Sequence, residues 1–399
     1  MATLRGLLEL RGPLLVLAVI AFVSAMGISI MLPLLPLYGL SLGASPVLLG
    51  LMTSGFAIAN SVAQLVAGFV TERYGSRRLI LAGTGTYAVA NALIATAPSA
   101  VALIAYRSFA GLGAGANLVS TRLYIAEVAD PARMAFVNGV LSAANSAGNV
   151  VGPAFGGLLA VASDLRTPFA VVAATSGLAF LAATLLAKPR PHAGAVARDA
   201  AAPASALNRG VVALLLANFG LLVAFGAWIT SYAPFATTRL GWTTFDVGII
   251  FTIFGIGDIT LGPWLAHLAD RTGRRRIGVL ATIPITAFGL ALVLGMPRLV
   301  VYAVSFVTGS GLTAFNASWF ALLTEQVPAA RRGRVFGVVS AVGNLGTVTG
   351  AIAASLLWQY LDLALGLYLA SAATALAGVA LLFVPSRLSA AAVGAAAAS

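Results

Sequence analysis

The sequence predicts an all-α polytopic membrane protein, with twelve transmembrane helices arranged as two parallel six-helix repeats. Three observations carry this expectation. Hydrophobic residues make up 60% of the 399-residue chain and charged residues only 9%, with a mean hydropathy of +1.00; soluble domains carry roughly 25% charged residues. The apolar runs mostly exceed about 18 residues, enough for a helix to cross a hydrocarbon core roughly 30 Å thick. The third is a basic turn, Gly68 to Arg78, that returns as Ala266 to Arg276. Glu72 is matched by Asp270, Arg73 by Arg271, Gly75 by Gly273, Arg77 by Arg275 and Arg78 by Arg276, each pair 198 positions apart. The short alternating segments of a transmembrane barrel do not occur.

Taken in order, the first span covers roughly 13–39 and contains two prolines, Pro33 and Pro36. Membrane helices tolerate such breaks because neighbouring helices satisfy the freed backbone groups. The run lasts well beyond a signal-peptide core and lacks a small-residue cleavage pattern, so it reads as a retained span. The second span (47–70) runs into the basic turn and the third (79–97) leaves it. The fourth (100–124) holds Arg107, the fifth (135–161) is rich in glycine, and the sixth (168–187) ends at Lys188. Lys188 to Arg209 is rich in alanine, proline and charge, the composition of a flexible linker. Spans seven to twelve follow at 211–236, 246–268, 277–296, 299–323, 335–359 and 364–384. The domain expectation is therefore an N-terminal bundle over 1–187, a cytoplasmic linker over 188–209 and a C-terminal bundle over 210–399.

The basic residues orient these spans. Placing the N-terminus in the cytoplasm puts nineteen Lys and Arg inside and three outside (Arg166, Arg239 and Arg298), with Arg107 within a span. Positive-inside bias then sets both termini in the cytoplasm and accounts for the net charge of +12 without nucleic acid. The expected setting is a bacterial-type inner membrane, with the lipid bilayer, a small-molecule substrate and protons as partners, and a monomer as the working unit.

Several chemistries find no footing. Without cysteine there is no disulfide, thiol catalysis or thiolate metal site. No phosphate loop of the GxxxxGK[ST] form occurs, so the chain has no means of hydrolysing ATP itself. The run Gly111-Leu-Gly113-Ala-Gly115 lies inside a span with no strand before it, unlike a dinucleotide loop. The two histidines, His192 and His267, belong to no metal cluster. Neither an enzyme nor a cofactor is expected; the energy source would be a proton gradient.

The repeat reaches past the basic turn: Glu127 matches Glu325, Arg133 matches Arg331, Gly148 matches Gly346 and Gly152 matches Gly350, all at the same offset. Parallel repeats about an axis along the membrane normal are a transporter architecture, with substrate bound between the halves.

Three signatures resemble the major facilitator superfamily, and more narrowly its drug:proton antiporters. The turn from Gly68 to Arg78 is similar to the family's G-x-L-A-D-R-x-G-R-[KR], with Glu72 for Asp and Ser76 after the glycine; its copy from Asp270 to Arg275 is closer. Arg107-Ser-Phe-Ala-Gly111-Leu-Gly113-Ala114 resembles R-x-x-Q-G-x-G-A, with Ala110 at the usual Gln. Gly148, Gly152, Pro153, Gly156 and Gly157 match the antiporter pattern GxxxGPxxGG in full, whereas the second half places Ala351, Ala354 and Ser355 opposite Pro153, Gly156 and Gly157. The resemblance implies the major facilitator fold and proton-coupled export of small hydrophobic or cationic compounds by alternating access, as in multidrug efflux. A sugar, amino-acid or metabolite carrier of the same fold is the alternative, and a membrane receptor or enzyme is the alternative from another class. Many such antiporters carry an acidic residue in span one; residues 12–40 contain none.

The candidate site residues follow from these patterns. Arg107 and Asp258 are the two charges well inside spans, and an aspartate at mid-helix costs about 2.5–3.5 kcal/mol on insertion scales. Intramembrane carboxylates mark ion paths, so Asp258 is expected to bind and release the coupling proton; a structural aspartate between helices is the alternative. The resemblance implies that span eight borders span five, which makes Asn145 and Asn149 on span five its expected partners. Arg107 keeps its proton, and the resemblance gives it a relaying role beside a carboxylate or water. Glu72, Arg73, Arg77, Glu127, Asp270, Arg271, Arg275 and Glu325 are expected to latch the cytoplasmic side, with Arg77 against Glu127 and Arg275 against Glu325. Gly148, Gly152, Gly156 and Gly157 form a small-residue face along which helices approach closely, with Pro153 freeing one backbone bond. The expected cavity lining is Asn145, Asn149, Asn218, Phe225, Trp228, Tyr232, Phe315, Asn316 and Trp319, an aromatic, weakly polar surface suited to amphiphilic molecules.

Overall fold

At two places a glycine with positive φ ends one long helix and starts the next, Gly75 at 84° and Gly273 at 118°. Only glycine takes such angles without strain. Each of these amides returns to the carbonyl four residues back, on Thr71 and Ala269. These are the two basic turns. The computed structural model describes residues 13–128, 134–186, 209–327 and 332–385. The linker expected over 188–209 lies outside the described residues apart from Arg209.

The described residues form twelve helices: α1 Pro13–Ser41, α2 Pro46–Tyr74, α3 Ser76–Ala95, α4 Ala100–Val128, α5 Met134–Ala162, α6 Arg166–Thr184, α7 Arg209–Thr238, α8 Thr244–Thr272, α9 Arg274–Val293, α10 Arg298–Gln326, α11 Arg332–Tyr360 and α12 Ala364–Leu382. Local chemistry sets several starts. The Leu48 amide donates to Ser45 Oγ at the head of α2. Thr243 and Asp246 exchange hydrogen bonds in a capping box at the head of α8, satisfying two amides that the first turn leaves unpaired.

Ten of the helices contain a stretch long and apolar enough to cross a bilayer by length and composition. The other two, α4 and α5, are each 29 residues long but broken by polar groups. These are Arg107, Asn117, Ser120 and Thr121 in α4, and Asn138, Asn145, Ser146 and Asn149 in α5. Arg107 and Ser120 are buried in the bundle.

The 198-residue offset recurs in three dimensions. Helix α1 packs on α5 and α6 as α7 packs on α11 and α12; α2 lies on α4 as α8 lies on α10; α3 touches α4 and α6 as α9 touches α10 and α12. The two groups of six meet mainly along α2 with α11 and α5 with α8. Hydrogen bonds across this seam lie at mid-helix or toward the end away from the basic turns. Ser54 Oγ donates to Val348 O, Thr252 Oγ1 to Val150 O and Thr244 Oγ1 to Gly157 O. Close backbone approaches there demand glycine. A Cβ on Gly248 would strike Pro153 O, and one on Gly157 would stand 2.5 Å from Thr244 O. Leu37 of α1 also packs at that end among Tyr232, Phe235 and Ala236 of α7. Toward the basic turns the α5 residues Asn138, Ser142 and Asn145 are exposed.

Candidate functional site

A cavity of about 260 Å³ lies between the two groups of helices. Helix α1 contributes Ile28, Met31, Leu32, Leu35 and Pro36, and α2 contributes Thr53, Phe56, Ala57 and Asn60. Tyr87 comes from α3, Arg107 from α4, Leu222, Phe225 and Ile229 from α7, and Asn344 and Thr347 from α11. The glycines of α4 set this wall. A Cβ on Gly111 would stand 2.5 Å from Phe56 O and one on Gly113 2.6 Å from Tyr87 N, so both neighbours close on α4 one turn beyond Arg107.

Arg107 is 7% exposed. Its guanidinium carbon lies 4.2 Å from the Phe56 ring centroid, Nη1 donates to Met31 Sδ at 3.0 Å, and Nε has no hydrogen-bond partner. It forms no ion pair among the described residues. The position equivalent to Arg107 in the second half is Ser305, fully buried and donating to Ile250 O. The second-half residues that line the cavity, Leu222, Phe225, Ile229, Asn344 and Thr347, are uncharged.

Uncharged polar groups line the mid-membrane level. Asn344 Nδ2 donates to Ser61 Oγ at 2.6 Å across the seam. Gln64 Nε2 donates to Asn60 Oδ1 at 2.5 Å, and Asn60 Nδ2 to Gly111 O at 3.4 Å.

Asp258 occupies the middle of α8 and faces α10, where Thr313 Oγ1 donates to Asp258 Oδ1. It is partly buried and lies outside the cavity lining. The partners expected for it stand elsewhere: Asn145 and Asn149 are exposed on α5, and Asn145 Nδ2 donates to Leu141 O in its own helix. The reason is packing. At the α5–α8 contact Val150 fills the space beside Gly255, whereas the α8–α10 contact brings Thr313 to the carboxylate.

Of the residues expected to line the cavity, Arg107 aside, Phe225 lies there. Phe315 and Trp319 are 0% and 8% exposed in the core of the second half, where Trp319 Nε1 donates to Leu214 O. Helix α10 packs behind α8 and α9, so its aromatic residues fill the bundle interior, and Asn316 is exposed on its other side. Tyr232 is 1% exposed, donates to Val247 O and stacks on Trp228 with centroids 5.1 Å apart. Trp228 in turn lies 4.9 Å from Phe251, so this aromatic group forms core behind the cavity. Asn218 donates to Val339 O on α11. The seven-residue spacing used to pick these residues marks one face of α7, and below Phe225 and above it that face turns into neighbouring helices.

Met31, Thr53, Phe56, Tyr87, Asn344 and Thr347 line the cavity and carry no motif. The signal that marks one of them, Asn344 in α11, is a polar residue at mid-span, and the same signal marks Asn60 of the lining in α2.

The antiporter-like glycines have two partners. A Cβ on Gly148 would meet Phe22 O, one on Gly152 would meet Met26 O at 2.7 Å and one on Gly156 would meet Ile30 Cγ2 at 2.8 Å, so these three seat α5 on α1. Gly157 faces α8 instead. Their spacing of four residues keeps the first three on one face.

In the second basic turn the pairing differs from expectation, whereas the pairing expected of Arg77 with Glu127 falls on a side chain outside the described residues. Arg77 Nε donates to Leu186 O and Nη2 to Thr184 O; Arg275 Nη1 donates to Val384 O. Each arginine thus satisfies carbonyls at the end of the last helix of its own half, which carry the negative end of the helix dipole. It is Arg274, one residue earlier, that binds both Asp270 and Glu325. Ser76 stands at the equivalent place in the first half. Arg73 and Arg271 are exposed, and the side chains of Glu72 and Glu127 lie outside the described residues.

Comparison with known proteins gives the same family over the whole length. The family model described as Major Facilitator Superfamily matches residues 17–245 and again 214–398. The chain is 26% identical over 352 residues to the multi-drug resistance efflux pump PmrA homolog of Lactococcus lactis, covering 84% of this chain and 85% of that one. It is 26% identical over 349 residues to the class C tetracycline resistance protein of Escherichia coli, covering 82% and 85%. The crystal structure of the nucleoside transporter NupG superposes with a TM-score of 0.77 at 13% identity, covering 93% of this chain and 99% of that one.

Proposed function

The chain belongs to the Major Facilitator Superfamily, and from that premise we propose that it exports small hydrophobic compounds across the membrane by alternating access, driven by proton entry. The observation that carries this reading is the cavity between the two groups of helices. Both groups supply its walls, so rocking one against the other would expose it to each side in turn. Positive-inside bias puts the basic turns in the cytoplasm of a bacterial-type inner membrane, and the closed seam then faces outward. Resistance and efflux relatives covering most of both chains support the cargo class.

In this reading Asp258 takes up and releases the coupling proton. Ionised, the carboxylate accepts the Thr313 hydroxyl; protonated, it loses a charge that is expensive within the bilayer and gains a donor of its own. The two forms favour different surroundings, which is the requirement for coupling a proton to a rearrangement of α8. Arg107 stays charged throughout and acts on what enters the cavity.

The test is flux of a panel of small hydrophobic dyes from proteoliposomes with and without an imposed pH gradient. Gradient-dependent movement is expected. Absence of flux for every dye overturns the transport reading, and flux indifferent to the gradient removes proton coupling.

A further inference from the structure

Among the described residues that line the central cavity one is charged, and it is positive. Arg107 lines it at 7% exposure with Nε unpartnered. Its contacts are a thioether and a ring face, the Met31 sulfur and Phe56. Sulfur is a weak acceptor, and a cation–π contact meets only part of a desolvated cation's requirement. A buried guanidinium without a carboxylate is costly.

Among the described residues no acid pairs with it. Of the eight acidic residues among those described, seven lie in the terminal turns of helices or between helices. The remaining one, Asp258, is engaged by Thr313 on α10. The other polar groups of the lining, Thr53, Asn60, Tyr87, Asn344 and Thr347, are neutral. A cationic cargo would meet like charge from Arg107.

The geometry points to a cargo that brings its own acid: a small organic anion whose carboxylate or sulfonate sits against Arg107 while its apolar body lies against Phe56, Phe225 and Leu222. A planar guanidinium presents paired donors to such a group, and the cavity of about 260 Å³ suits a compact molecule. The inference rests on the export reading for its transport and on Arg107 alone for its charge preference.

Three probes sharing one aromatic body test it: naphthoate, its methyl ester and naphthylmethylammonium. Binding to the purified full-length protein is measured by equilibrium dialysis, and export is followed in proteoliposomes. Naphthoate is expected to bind at least about tenfold more tightly than the ammonium compound, in line with a charged hydrogen bond. Arg107→Gln should bring the ratio of naphthoate to ester affinity close to one, while Arg107→Lys keeps part of it. If the Gln variant fails to fold, the wild-type ratio alone decides. Equal binding of all three probes, tighter binding of the ammonium compound, or binding of none overturns the inference. Export of naphthylmethylammonium but not naphthoate overturns it and leaves the export reading standing; Arg107-dependent binding of naphthoate without movement does the reverse.

Discussion

Thr313 on α10 donates its hydroxyl hydrogen bond to the Asp258 carboxylate on α8. The same level of the first half pairs Gly115 with the backbone of Asn60, so among the described residues a partly buried acid with a dedicated donor exists in one half alone. Asp258→Asn is expected to reduce gradient-driven export to background while leaving membrane insertion intact. Thr313→Val, which removes the donor and keeps the shape, should weaken coupling and shift its pH dependence. Flux in proteoliposomes at a series of imposed gradients checks both, and full activity of Asp258→Asn would remove the carboxylate from the proton path.

Arg77 and Arg275 close the far ends of α6 and α12. Replacing either with Met is expected to cost about 1 kcal/mol, the scale of a cation at a helix C-terminus. The sites are far apart in separate halves, so the double variant should show the sum. Thermal unfolding in detergent measures this, and a loss of transport without loss of stability would instead assign these arginines to the transport cycle.

Glycines on α5 are separable by what a methyl group would strike. Gly152→Ala places Cβ against Ser29 Oγ and 2.7 Å from Met26 O, whereas Gly139→Ala meets nothing within 4 Å. The first should destabilise by about 1–3 kcal/mol, as overpacking does. The second should stabilise the helix by up to about 1 kcal/mol. Paired melting curves distinguish them.

Asp164, in the connection before α6, accepts hydrogen bonds from the Thr167 and Arg166 amides at 2.8 and 2.9 Å. These bonds, the Thr167 amide first, hold its carboxyl below the usual carboxylate range. Its stabilisation is present above the unfolded-state pKa and is lost as pH falls through the lower folded-state value. Asp164→Ala should therefore melt lower than wild type at neutral pH, with the gap closing in strong acid. A gap that widens on acidification would contradict this assignment.

The chain has no cysteine, so a single engineered pair reports on the seam. Ser54 Oγ reaches Val348 O at 3.4 Å across it. Joining Ser54→Cys to Val348→Cys with a short thiol reagent should stop transport, and reduction should restore it. Unimpaired flux in the linked protein would show that this seam stays closed throughout the cycle.

The fold was legible because bilayer thickness imposes long apolar runs and because duplicated turns keep their glycines. Gly75 and Gly273 mark their turns through φ angles that other residues resist, so pattern and structure agree there. Of the cavity, Arg107 and Phe225 were legible. Arg107 stands out in sequence because a cation within a span is rare, yet Met31 and Phe56, which hold it, are ordinary apolar residues. Phe315 and Trp319 show the opposite failure: aromatic spacing identifies a face of a helix but not which neighbour covers that face. Arg274 and Arg275 differ by one residue and by 100° around a helix, which is enough to exchange a carboxylate partner for a carbonyl.

Among the described residues no ion pair joins the two groups of helices, and their seam is bridged by serine, threonine and asparagine acting on oxygen atoms. A hydroxyl in a helix has a second acceptor at hand; Ser61 Oγ already donates to Ala57 O in its own turn. Parting such a seam strips no charge of its counterion and leaves few donors idle. Dissolved salt has nothing there to shield. The outward-facing half of the stroke should then run at the same speed in dilute and concentrated electrolyte, a mechanical indifference useful to a surface that meets whatever ionic strength the environment presents.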